Sequence, residues 1–563
     1  MVAEEHLGPA VYLAAVHDVD GKSVLHWKYN IAKPEFVEVK VLDGKQQDIA
    51  SIKRPVRMVD VTGKSGPFSL FPMRADGTHA EPLGVPLVSA DQTAEGNDTA
   101  VGPALPVSRI GITQKDGKAQ FVHLATGTIF NPVGMNYVPL RHADHAAFEA
   151  ATRTTVAFYD GLEAETVLRM LSSSGYNTVR VFFAGRRVEN PGMSGDSDTQ
   201  GLYIPYLDNL ADFLKRAASN GIYVIINFSD MELPQNDYFR EKLAPKKGTE
   251  NLFHEAGLVA FREMIASSVG YLKAKNPDLL NTILGISFNN EAYAKLTQWP
   301  FTATGLVTTA NGKTYDMTVP ADRLRCYEEG LAFYYEQLCD AVDSVDKNLL
   351  TCEGIFVAAA VGRDHRLGPA TLDPANLKKG FEWEHGAGLR MPAPLPLLTK
   401  APLDFVDVHL YPAGPLANFE KEVEDLLGSS LFNDAVALGL GSKKPVILGE
   451  FGAFKKHVEV DTKDGIVGGR KRWSAVRDLA CGKFGFVGYL GWSLETFDQT
   501  DIYQALAFGP NALTEFRREF PWPKAAPLQN PNPSALTKMP IVLNRVEPTG
   551  TGKGFLIPQK LAR

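Results

Sequence analysis

Cysteine is scarce in this chain: Cys326, Cys339, Cys352 and Cys481 are the only four among 563 residues, and none stands in a CxxC pair. That spacing excludes a disulfide framework, a zinc ribbon and a thioredoxin-type redox centre. The one notable His-Glu pair, in LFHEAG (252–257), lacks the second histidine that a zinc-protease helix carries four residues on. GTGKG at 550–554 is no phosphate loop, because Glu547 stands where the upstream glycine belongs and Gly554 replaces the magnesium-binding hydroxyl. Surplus positive charge is missing too: 58 basic against 65 acidic residues give a net charge of −7, which disfavours nucleic acid or an anionic membrane as the main partner. No apolar run reaches the roughly 18 residues that a membrane-spanning helix needs. The N-terminus, MVAEEHLGPAVYLAAVHDVD, has no basic segment ahead of an apolar one, so no leader is read there. A chain trimmed of its leader would read the same way; that case favours an extracellular or periplasmic site, and compartment and oligomeric state stay open.

What is present is a globular composition, 44% hydrophobic and 22% charged, long enough for several units. Residues 1–107 read as an all-β sandwich domain of immunoglobulin or fibronectin type with a linker. FVEVKVLDG alternates with period two, and Asp-Gly turn signals stand at 20–21, 43–44 and 76–77. The stretch 88–106 is small, polar and proline-punctuated, a loop or linker. From 108 to 520 the pattern becomes short β-branched runs separated by helical periodicity. The runs are NPVGMNY (131–137), NTVRVFF (177–183), IYVIINF (222–228), ILGISFN (283–289), LLTCEGI (349–355), DFVDVH (404–409), PVILGE (445–450) and FVGYLGW (486–492). Between them lie segments such as YLDNLADFLKRAA, with Leu207, Leu210, Leu214 and Ala217 on one helical face. Eight such units predict an α/β fold, a (β/α)8 TIM barrel. The rival open sheet lacks its GxGxxG fingerprint. The preceding hairpin turns at Asp116-Gly117 and is placed at the barrel floor. The proline-rich 521–563 is expected to pack on the barrel as an extended strap.

Active sites of such barrels stand at the C-terminal strand ends. Strand two carries Arg180 amid apolar neighbours; strand four ends in Asn290 and Glu291, strand six in His409 and Tyr411, strand seven in Glu450 and strand eight in Trp492. Two carboxylates facing each other across a barrel mouth are the arrangement of a retaining glycosidase, one acid/base and one nucleophile about 5–5.5 Å apart. Competing carboxylates are Glu353 in the fifth run and Asp230, Glu495 and Asp498 in loops; Glu353 is the most serious rival, though it lacks the neighbouring Asn that marks Glu291.

Asn290-Glu291, His409-Leu410-Tyr411, GEFG (449–452) and GWSLETF (491–497), in this order at strands four, six, seven and eight, resemble glycoside hydrolase clan A, family 5 cellulase-like and mannanase-like enzymes above all. The resemblance covers roughly residues 120–520. It implies that Glu291 is the acid/base, Glu450 the nucleophile and Asn290 the amide on the sugar 2-hydroxyl. Arg180 and Tyr411 would hold Glu450 ionised, His409 would line the catalytic subsite, and Trp492 would lie under a sugar ring. Many family members carry a histidine near the end of strand three, where this chain reads NFSDMELP, so Asp230 or Glu232 stands in for that contact.

The expectation is therefore a retaining β-glycosidase acting on a glycan or oligosaccharide, with neither metal nor organic cofactor. A non-catalytic carbohydrate-binding barrel and a transglycosylase on the same scaffold are the alternatives. Trp383, Glu384 and His385 follow strand five on a segment placed over the site. Arg186 and Arg187 follow strand two, either as plain surface or as contacts for an acidic sugar. By alternation, Asn290 faces the sugar and Asn289 points away.

Overall fold

The computed structural model describes residues 10–19, 22–29, 35–53, 56, 58–85, 107–137, 161–182, 201–202, 204–228, 248–361, 390–412, 418–455, 465–494, 502–503, 505–508 and 512–522. The N-terminal part holds two antiparallel sheets. One orders Val11–Val19, Lys22–Tyr29 and Met58–Asp60; the other orders Asp48–Lys53, Phe36–Leu42, Phe68–Arg74 and Leu83–Val85. The alternation in FVEVKVL has its cause here: Val39 and Val41 point between the sheets and meet Val11, Leu25, Trp27, Phe68 and Leu70, while Glu38 and Lys40 are partly exposed. Asp43, ahead of the turn glycine Gly44, accepts from the backbone of Lys45 and Gln47 at 2.9 Å each, the side-chain mimicry that makes aspartate a turn residue.

The eight runs read from the sequence are the eight strands of a closed parallel barrel. They are β1 (Val133–Tyr137), β2 (Thr178–Phe182), β3 (Tyr223–Asn227), β4 (Ile283–Ser287), β5 (Thr351–Phe356), β6 (Phe405–Leu410), β7 (Val446–Phe451) and β8 (Tyr489–Gly491), joined edge to edge in chain order. Every residue of β1 to β4 is buried, because helices cover the outside and side chains fill the inside; that is why the runs are continuous rather than alternating. The helix Ile204–Ser219 buries Leu207, Leu210, Leu214 and Ala217 completely or nearly so. At about 1.5–3 kcal/mol for each large side chain removed from water, this stripe outweighs any intrinsic helix preference.

Two apolar layers result. The outer one lies between strands and helices. The inner one gathers Tyr223, Ile225, Leu284, Phe405, Ile447 and Leu490 from the barrel with Ile110, Ile112, Phe121 and Phe130 from the hairpin. The strands Ile110–Lys115 and Lys118–His123 pair antiparallel and turn at Asp116 (φ 52°) and Gly117 (φ 72°), the left-handed pair of a tight hairpin. This hairpin closes the N-terminal end of the barrel and leaves the opposite end for chemistry. Among the described residues no helix is long and apolar enough to cross a membrane. The strap expected after 521 lies, from 523 on, outside the described residues.

Candidate active site

Arg180, in the middle of β2, points into the barrel with no exposure at all. A buried guanidinium is costly unless each of its donors is matched. Its Nη1 donates to Glu450 Oε1 at 2.7 Å and to Asn136 Oδ1 at 3.3 Å, Nη2 donates to Asn290 Oδ1 at 3.0 Å, and Nε lies 3.0 Å from Asp407 Oδ2. Burial works against its charge, and the Asp407 and Glu450 carboxylates more than restore it. Asn136 in turn donates to the carbonyls of Gly449 at 2.8 Å and Gly491 at 3.3 Å, which ties β1 to β7 and β8 beneath the guanidinium.

Glu450 stands on β7, its side chain 4% exposed, and Tyr411 donates to its Oε2 at 3.0 Å. Burial raises the Glu450 carboxyl to about 7, against the downward pull of the His409 and Arg180 cations. The Tyr411 hydroxyl is pushed well above its ordinary range by burial and then by Glu450 and Glu291, so it remains a donor. Glu291 is the more open of the two carboxylates, 24% exposed, and its Oε1 lies 3.1 Å from His409 Nδ1. The same nitrogen is 3.4 Å from Glu450 Oε2. Burial by itself would lower the His409 imidazole; Glu450, Asp407 and Glu291 outweigh it and push it up to about 9. One atom each from Glu291, His409 and Glu450 lie within 4.8 Å of one another. A triad of this size could take a metal ion, but both Glu450 oxygens already accept from Arg180 and Tyr411 and the histidine favours its charged form. The set fits protons better than a dication.

Glycine positions the loop that carries Asn290 and Glu291. A Cβ on Gly354 of β5 would lie 2.0 Å from the Asn290 carbonyl oxygen, so only glycine lets the end of β4 pass. Asn289 turns the other way, donating to Tyr334 Oη at 3.2 Å and Glu353 Oε2 at 3.3 Å. Glu353 thus faces the helix Pro320–Asp346 and not the mouth, and burial drives its carboxyl well above the usual range. Trp492 is 7% exposed, edge-on to Phe182 with centroids 5.4 Å apart, in a cluster with Ile502, Tyr411 and Phe454. The structure therefore brings Arg180, Asn290, Glu291, His409, Tyr411, Glu450 and Trp492 to one end of the barrel. Asp230, Glu232, Trp383, Glu384, His385, Arg186, Arg187, Glu495 and Asp498 lie outside the described residues.

Sequence reasoning missed Asp407. It is fully buried in β6 below Arg180 and His409, with Oδ1 3.6 Å from His409 Nε2. The signal was an acidic residue in the interior of an apolar strand, which must have a cationic partner to be tolerated there.

Residues 142–497 match the family Cellulase (glycosyl hydrolase family 5). A closed (β/α)8 barrel with this match defines a glycoside hydrolase of clan A. The chain belongs to glycoside hydrolase family 5. No curated protein matches the sequence. Solved structures similar to it include the endo-β-1,4-mannanase of Thermotoga petrophila, at 14% identity over 69% of this chain and 76% of that one with a TM-score of 0.44. The endo-1,4-β-mannanase of Rhizomucor miehei is 15% identical over 73% of this chain and 98% of that one, TM-score 0.46. The exo-β-1,4-mannosidase of Opitutaceae bacterium strain TAV5 is 18% identical over 72% and 61%, TM-score 0.41.

Proposed function

We propose that this family 5 enzyme is a retaining glycosidase cleaving β-glycosidic bonds, with Glu450 as nucleophile and Glu291 as acid/base. The observation that carries the reading is the approach of the two carboxylates, one oxygen of each lying within 4.8 Å of the other with a His409 nitrogen in reach of both. That gap suits direct attack on the sugar, whereas inversion needs about 6.5–9.5 Å to admit a water. The asymmetry of the pair supports the assignment of roles. Glu450 is enclosed by the donors Arg180 and Tyr411, which stabilise a carboxylate, while Glu291 keeps access to the open side where a leaving group departs.

In the first step a Glu450 oxygen bonds to the anomeric carbon as the glycosidic C–O bond breaks, and the Glu291 proton passes to the departing oxygen. Glu291 then takes a proton from water, the water oxygen bonds to the anomeric carbon, and Glu450 is released. Asn290, fixed by Arg180, is the amide for the sugar 2-hydroxyl; Trp492 is the apolar floor; His409 lines the subsite; Asp230 and Trp383 are further contacts. The same reading takes 1–107, 108–520 and 521–563 as sandwich with linker, barrel and strap, and the separate apolar cluster of the N-terminal sheets supports the first boundary.

The test is the anomeric configuration of the first product, followed by proton NMR with 2,4-dinitrophenyl β-glucoside and β-mannoside and with β-1,4-linked oligosaccharides. Retention is expected. An inverted first product overturns the mechanism, and binding without turnover across the panel would leave the non-catalytic alternative.

A further inference from the structure

Both ring nitrogens of His409 face carboxylates. Nδ1 lies 3.1 Å from Glu291 Oε1 and 3.4 Å from Glu450 Oε2, and Nε2 lies 3.6 Å from Asp407 Oδ1. Nδ1 is within hydrogen-bond distance of Glu291, and Nε2 stands at ion-pair distance from Asp407, beyond hydrogen-bond reach; a ring with a carboxylate at each end is favoured as the imidazolium, which spreads positive charge over both nitrogens. The neighbouring strand adds no other partner, since β5 presents Gly354 to Nε2 and turns Glu353 toward Asn289. Charge balance points the same way. Among the described residues the groups facing the ring are Glu291, Glu450 and Asp407 as acids, Arg180 as base and Tyr411 as neutral donor. With His409 charged, Arg180 and His409 offset Asp407 and Glu450, and the buried set is neutral when Glu291 carries its proton, the state from which the first step starts. With His409 neutral the same set would hold an uncompensated buried anion, which is strongly disfavoured.

Room for Asp407 is made by a glycine. A Cβ on Gly449 would lie 1.4 Å from Asp407 Oδ1, so no other residue at 449 leaves the carboxylate where it is. Gly449 is also the extra residue of a bulge: Val408 pairs with Leu448, but His409 pairs with Glu450.

We propose that Asp407 is a positioning residue, the buried counter-ion that keeps His409 an imidazolium hydrogen-bonded to Glu291 and ion-paired beside Glu450, and that the first glycine of GEFG serves to admit it. The proposal rests on the retaining reading for what the two carboxylates do, and its effect runs through His409 and Arg180, since Asp407 touches no substrate. Removing its charge takes away part of what raises both His409 and Glu450, so both limbs of the pH profile move to lower pH. A purely structural role would lower activity without moving them.

The experiment is Asp407→Asn, which keeps shape and removes charge. With β-1,4-linked gluco- or manno-oligosaccharides, whichever the wild type turns over, whose leaving group needs the Glu291 proton, the kcat/KM optimum is expected about one pH unit or more lower. At pH 8 the loss in kcat should exceed tenfold and KM should change little. A profile superimposable on that of the wild type overturns the proposal. An independent readout needs no turnover and no Asp407 variant: nitrogen NMR of wild-type enzyme labelled at histidine should show one imidazolium at pH 8, missing from His409→Gln. Only neutral rings at pH 8 would equally overturn it. Failure of the retaining reading would appear instead as inversion or inactivity of the wild type, with the imidazolium still present.

Discussion

At the floor of the barrel Phe405 packs edge-on against Phe121 of the hairpin, centroids 5.2 Å apart, in an apolar cluster without ion pairs. Two and four residues further along the same strand and on the same inner face, roughly 7 and 13 Å away at about 3.3 Å per residue, stand Asp407 and His409 in a layer of ion pairs. Both layers are buried, so burial alone does not distinguish a stability site from a chemical one. The floor is held by area removed from water and tolerates any residue of the right shape. The mouth is held by mutual charge compensation, and each group there fixes the protonation of the next.

Four substitutions test that contrast. The largest effect is expected at the mouth from Glu450→Ala, which removes the proposed nucleophile and should lower kcat by about 10⁴-fold or more, read by steady-state turnover. A variant with wild-type activity would end the assignment. Glu291→Ala should cost about 10²–10⁴-fold on substrates whose leaving group needs a proton and far less on dinitrophenyl glycosides, a split that only an acid/base residue produces. At the floor, Phe121→Ala should lower stability by about 3–5 kcal/mol in denaturant unfolding, with the pH optimum of the remaining folded enzyme unchanged. A moved optimum would show that floor and mouth are coupled. The smallest effect belongs to the hairpin turn: Gly117→Ala places a side chain at φ 72° and should cost about 1–2 kcal/mol in the same assay, with no change in kcat.

Much of the site was legible because strand ends in a barrel are predictable positions. Once the eight runs are in order, Glu291 and Glu450 fall where chemistry belongs, and Arg180 announces itself as a charge inside an apolar run. Asp407 was as visible by the same rule yet passed unnoticed, since its partners come from β2 and from its own strand two residues on. The roles of Asn289 and Asn290 separated only in three dimensions, where Tyr334 and Glu353 take one amide and Arg180 the other.

The sequence by itself determined the barrel, its floor and the two carboxylates, because periodicity and strand order are local or nearly local properties. The tertiary structure decided which way Glu450 points. Asp407 pairs with Ile447 and Val408 with Leu448, so regular alternation would turn Gly449 inward beside His409; the bulge skips it and brings Glu450 opposite His409 instead. A one-residue shift of this kind is set by how two strands hydrogen-bond and by what the inner face can hold, here an aspartate that only a glycine leaves room for.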